Sequence, residues 1–83
     1  MMIEVTRTDI DDGIPRSPSF CPIAIALKRV TGGFATYVGI GEAAITAYGT
    51  RRQWRLSGPA VRFIKRYDAG RPVSPCRFRL ESV

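Results

Sequence analysis

The chain contains no histidine. That removes at once the commonest general base and the commonest metal ligand. Its two cysteines, Cys21 and Cys76, are too few for a disulfide framework, and a zinc site built on them would have to be completed by carboxylates. Lysine is scarce as well: of thirteen cationic residues only Lys28 and Lys65 are lysines, and the rest are arginine. No apolar run approaches the ~18 residues that span a bilayer. The opening "MMIEVTRTDIDDG" is acidic and alternating, unlike a signal peptide. A soluble cytoplasmic chain with reduced cysteines and no membrane partner is the expectation.

Phosphate loops are missing too. "VGIGEA" has two glycines in the right rhythm but lacks the third glycine and the lysine. The carboxylates cluster in one N-terminal turn, so a glycosidase-type pair has no place. Asp9, Asp11 and Asp12 lack the further oxygen ligands and the terminal glutamate of a calcium loop. These absences point away from an enzyme and from any cofactor or metal.

What is present is enough for one compact domain. Of the 83 residues, 45% are hydrophobic and eight are aromatic. The net charge of +6 is unevenly spread. Residues 1–13 hold four carboxylates against Arg7, and the remaining chain holds twelve cations against Glu42, Asp68 and Glu81. An arginine-rich half implies an anionic partner, because guanidinium grips phosphate bidentately and stacks on flat rings. Genomic composition or a merely solvated surface explains the same bias without a partner.

"MIEVTR" alternates as a half-buried strand does, and Thr8 with Asp11 makes a capping box for a turn closed by Gly13. Pro22 suits the first position of a helix running to about Val30, with Cys21 or Ser19 as cap and "TGG" as stop. Phe20, Ile23, Leu27 and Val30 recur on one side of it. "ATYVGIG" and "EAAITAYG" read as short strands. "GTRR" then turns tightly into "QWRLS", with Trp54 and Leu56 on one face and Arg51, Gln53 and Arg55 on the other. "SGPAVRFIKRYDAGRP" is a capped helix, with Ala60, Phe63, Ile64 and Tyr67 inward and Arg62, Lys65 and Arg66 outward. "PCRFRLES" is a terminal strand that puts Cys76 in the core. The order β-α-β-β-β-α-β predicts an α+β fold: a small antiparallel or mixed β-sheet with two helices on one face. If the middle strands merged into two, it would be ferredoxin-like.

Two constellations suggest binding. The loop "SPSFCP" enters a helix N-terminus, where backbone N–H groups receive anions, and Ser19, Phe20 and Cys21 are its candidate contacts. A nucleophilic Cys21 has no base beside it, so capping and packing is the stronger reading of its thiol. The second constellation is "YGTRRQWR" with "RFIKRY" and "CRFRL", where cations alternate with aromatic rings as in nucleotide grips, although periodicity puts Trp54, Phe63, Tyr67 and Phe78 on core faces, where they are not available for stacking. Arg51, Arg55, Arg77 and Arg79 form one cationic sheet face if the hairpin and last strand are neighbours. Arg52 and Tyr48 complete the candidates, Tyr48 and Tyr37 being the rings most apt to be exposed.

"CPIAIALKR" and "RFIKRYDAGRPVSPCRFRLES" carry a resemblance. The chain is similar to a family of small uncharacterised bacteriophage and prophage proteins with a Cys-Pro-x-Ala-x-Ala-Leu helix near the start. The similarity covers most of the chain outside "TGGFATYVG". It implies a phage accessory protein working in the host cytoplasm, and it supplies no catalytic residue. Such proteins often act by binding. The leading expectation is capture of an anionic, nucleotide-like small molecule, as in sequestering an immune signal, by an oligomer with an arginine-lined pocket. Nucleic-acid binding is the alternative, and direct inhibition of a host protein the third.

Overall fold

A computed structural model of the chain describes residues 1–33 and 35–83. Its elements are β1 (Met2–Val5), α1 (Arg7–Asp12), α2 (Pro22–Thr31), β2 (Ala35–Val38), β3 (Glu42–Ala47), β4 (Thr50–Leu56), α3 (Gly58–Asp68) and β5 (Cys76–Ser82). The strands form one antiparallel sheet in the order β1-β5-β4-β3-β2. The α+β class is as the sequence implies. The "TDIDDG" turn is long enough to count as a third helix, and the middle strands stay separate, so the condition for a ferredoxin-like arrangement is not met.

The order of strands makes β1 and β2 the two edges, and α2 packs against both. The sheet therefore curls around α2. Inward positions of every strand meet the helices in one core: Ile3 and Val5, Val38, Ala43 and Ile45, Trp54 and Leu56, Phe78 and Leu80. From α2 come Ile23, Ala24, Ala26 and Leu27, and from α3 Ala60, Phe63 and Ile64. Phe20 and Val30 do not join them; both are exposed, because the stripe facing the sheet is set by Ile23 and Leu27 with the alanines between. Cys76 is half-buried, a correction to its expected core position, because it is the first residue of β5 and sits at the open end of its pairing with β1, opposite Val5.

Local chemistry sets the boundaries. The first helix is capped by Thr6 and Asp9, not Thr8 and Asp11: Thr6 Oγ1 accepts from the Asp9 N–H at 3.2 Å, and Asp9 Oδ2 accepts from the Thr6 N–H at 2.9 Å. Asp9 is buried at 2% exposure and receives Arg29 of α2 through both oxygens, Oδ2 at 3.0 Å. Arg29 also donates to the Glu4 carbonyl at 3.0 Å. One arginine thus ties β1, α1 and the last turn of α2 together. At the other edge, the Val38 N–H of β2 donates to the Pro18 carbonyl at 2.8 Å. Each sheet edge thus has one backbone group engaged outside the sheet, the Glu4 carbonyl on β1 and the Val38 N–H on β2.

The β3–β4 turn is Tyr48-Gly49, with φ of +52° and +78°, so "GTRR" is not the turn and β4 begins at Thr50. Two positive φ values are what two-residue hairpin turns of the I′ class need. Gly32, at φ +70°, ends α2, and Ser57 caps α3 by accepting from the Ala60 N–H. Among the described residues no helix is long and apolar enough to cross a membrane.

Candidate anion-binding surface

The start of α2 turns its donors inward. Cys21 is the N-cap, buried, with Sγ accepting from the Ala24 N–H at 3.5 Å and its carbonyl accepting from the Ile25 N–H at 3.0 Å. Pro22 has no N–H to offer. Burial pushes the Cys21 thiol above its usual range; hydrogen bonds from the Ala24 and Ile23 amides oppose this without reversing it, and the Asp68 charge adds to the rise. The thiol stays protonated at neutral pH. Ser19 and Phe20 are exposed beside it.

A cavity of about 470 Å³ adjoins Cys21, and its charged walls are Arg16, Glu42 and Asp68. Arg16 already faces Asp68: its backbone N–H donates to Asp68 Oδ1 at 2.8 Å and its guanidinium to the Asp68 carbonyl at 3.2 Å. Two carboxylates beside a single arginine make poor lodging for an anion.

The candidate arginines lie elsewhere. Arg51 and Arg55 of β4 share the outer sheet face with Arg77 and Arg79 of β5, as the alternation required. That face is mixed in sign. Arg55 stands opposite Glu42 on one side and Glu81 on the other, and Arg77 pairs with Glu4 at 3.4 Å. Arg52 points to the other face, its guanidinium carbon 5.0 Å from the Trp54 ring centroid, where it covers the core as a cation–π lid. Tyr48 stands at the hairpin tip, 88% exposed, and Tyr37 is also exposed. No described cavity is lined both by Ser19, Phe20 or Cys21 and by any of these five arginines.

The strongest cationic concavity flanks the segment between α3 and β5. Here Pro72, Val73 and Ser74 form a ridge with a cleft on each side. The ridge is well anchored. Gly70 (φ +76°) donates its N–H to the Tyr67 carbonyl at 3.0 Å, and the Arg71 N–H reaches the Arg66 carbonyl at 2.9 Å. The Arg66 guanidinium donates to the Pro72 carbonyl at 3.2 Å, and Val73 packs against the core.

The first cleft, about 350 Å³, has Arg62 and Arg66 on the α3 side and Phe63 with Phe78 as its floor. The second, about 460 Å³, has Arg7 and Arg71 with Tyr67 and Ile10. No carboxylate lines either one. Phe63 and Phe78 meet edge to face at 5.3 Å, while Phe63 and Tyr67 lie near-parallel at 6.3 Å. The Tyr67 hydroxyl donates to the Ile10 carbonyl at 3.1 Å. Burial raises its phenol above the usual range, with Cys21, Asp68 and Asp11 adding to the rise, so the donor proton is kept. Burial raises the Cys76 thiol likewise. Among the described residues no group of three potential metal ligands converges.

The sequence puts Arg62 and Arg66 on the outward face of α3, within the "RFIKRY" stretch of the second constellation but outside its named contacts, and does not single out Arg7 or Arg71. The signal for the first pair was "RFIKRYDAGRP", a basic helix face followed by a Gly-Arg-Pro reversal that folds back over it. Arg7 carried no such signal, being 64 residues from Arg71 in the chain. Comparison with protein-family models, with curated proteins and with solved structures finds no match to this chain.

Proposed function

We propose that the protein is a non-enzymatic binder of an anionic, nucleotide-like ligand, held at the clefts beside the 72–74 ridge. The observation that carries this is the pair of carboxylate-free clefts, each with two arginines above a partly apolar floor, on a chain of net charge +6. Guanidinium groups over partly apolar floors favour a phosphate joined to a flat ring, because the first needs charge and the second needs shelter. The resemblance to phage accessory proteins supports sequestration as the role, since capture needs affinity and no turnover.

Thermal unfolding with nucleoside phosphates tests this. At ligand about a hundredfold above Kd the fold gains about 2.7 kcal/mol, a rise of many degrees for a domain of this size. The joint variant Arg62→Ala/Arg66→Ala is expected to abolish the rise, and Arg51→Ala/Arg55→Ala to keep it. The reverse pattern would move the site to the sheet face.

A nucleic-acid strand is the second reading. What favours it is that Lys65, Arg51 and Arg79 are exposed outside the clefts, so positive charge extends beyond them. Binding that falls steeply with salt, with a slope of about −0.7 per phosphate neutralised on a single strand, marks that case.

A further inference from the structure

Phe63 and Tyr67 are one helical turn apart on α3, yet they open onto different clefts. The same set of groups is therefore built twice, across one ridge: Arg62 and Arg66 with Phe63 on one side, Arg7 and Arg71 with Tyr67 on the other. The second pair comes from opposite ends of the chain, so local sequence bias does not by itself explain the repetition. We infer that the ligand is a dinucleotide that straddles the ridge, one phosphate in each cleft. This rests on the nucleotide-binding reading above and specifies its substrate class.

The lining supports two phosphates held apart. The two clefts have residues 72–74 in common and no other lining residue, so phosphates seated in them would stand on different sides of that segment. The two phosphorus atoms of a pyrophosphate are bonded through one oxygen and cannot reach across. Two phosphates separated by a nucleoside do so, with the arginine side chains taking up the difference. Ser74, exposed on the ridge, lines both clefts. The anchoring of Pro72 by Arg66 keeps the ridge in place before ligand arrives, which limits the ordering cost of binding.

Calorimetric titration of the full chain with adenosine monophosphate, a 5′-phosphorylated linear dinucleotide, a cyclic dinucleotide and a single-stranded dodecamer tests the inference. One or both dinucleotides should bind one per protein site and about tenfold or more tighter than the mononucleotide. Arg62→Ala/Arg66→Ala and Arg7→Ala/Arg71→Ala should each bring that affinity down to the mononucleotide level. Because Arg66 also holds the ridge, the single variants Arg62→Ala and Arg71→Ala are run beside them, with unfolding temperature as the control for folding. Two mononucleotides bound per chain, with no gain for either dinucleotide, would overturn the bridging ligand and leave nucleotide binding intact. Tight binding of the dodecamer alone, lost on adding salt, would overturn it in favour of a nucleic-acid backbone. No response to any phosphate-bearing probe would end the nucleotide-binding reading itself.

Discussion

Asp9 is held by the Thr6 N–H and by both terminal nitrogens of Arg29, in a place where water hardly reaches it. Burial alone would raise its carboxyl; the hydrogen bonds from Arg29 and Thr6 outweigh that and hold it below the usual carboxylate range. A depressed folded value means the stabilisation is present above the unfolded value of about 3.9 and is lost as pH falls through the folded one. Asp9→Ala should cost about 1.5–3 kcal/mol at neutral pH, as expected for hydrogen bonds to a charged group. Denaturant titrations at several pH values check it, and the gap between wild type and variant should narrow in acid. A gap independent of pH would show that the carboxylate charge is not what matters. Tyr48 is an aromatic in the left-handed region at an exposed tip. An L side chain there costs about 1–2 kcal/mol, and asparagine is the residue that turn prefers. Tyr48→Asn is expected to relieve that backbone cost and to leave ligand affinity unchanged, measured on one sample by thermal unfolding and titration. A fall in either quantity would show that the ring contributes through contacts of its own.

For the elements, much was legible and the rest failed for reasons the structure supplies. α3 was readable from Ser57, Pro59 and Gly70 together with its inward stripe, because cap and periodicity are both local. The alternation of β5 gave the facing of Arg77 and Arg79 correctly. The capping box was ambiguous, since Thr6 and Asp9 match the same spacing as Thr8 and Asp11, and Arg29, twenty residues on, decides between them. The facing of Arg52 also followed from the strand period once Trp54 was placed, yet a run of three arginines around Gln53 concealed it. The ridge had no local signal, because its position depends on Val73 and Arg66 packing after α3 and β5 are in place. α2 shows how a binding motif can be a structural one: its first donors serve Cys21, not a ligand. Cys21→Ser should keep the cap and stay within about 1 kcal/mol of wild type, while Cys21→Ala should lose about 1 kcal/mol of cap stabilisation. Neither should alter ligand affinity, and a loss of binding in Cys21→Ser would return the site to the helix start. Thiol labelling at neutral pH should be slow at Cys21, which is buried and protonated.

Across the whole molecule, charge is sorted more finely than the net figure shows. Carboxylates accompany the arginines of the outer sheet face and the cavity beside Cys21, but none lines the two clefts beside the ridge. The curled sheet makes this arrangement possible by bringing the N-terminal α1, which carries Arg7, against the far end of α3. Gly13 is a pivot of that approach, for an added Cβ would lie 2.7 Å from the Tyr67 hydroxyl oxygen and 2.8 Å from the Pro22 ring. Gly13→Ala is therefore expected to destabilise the fold by about 1–3 kcal/mol and to weaken ligand binding on the Arg7 side, both read by denaturant titration and calorimetry. Unchanged values would mean that Tyr67 moves freely and that the second cleft is not fixed by this contact.

The most direct measurement is an amide chemical-shift titration of the isotope-labelled protein with a dinucleotide. The account predicts saturable shifts confined to residues 62–76 and the neighbourhood of Arg7, with residues 16–21 and 39–42 unmoved. Shifts centred on the α2 start, on the outer sheet face or on the hairpin tip would contradict it, as would a spectrum that does not change.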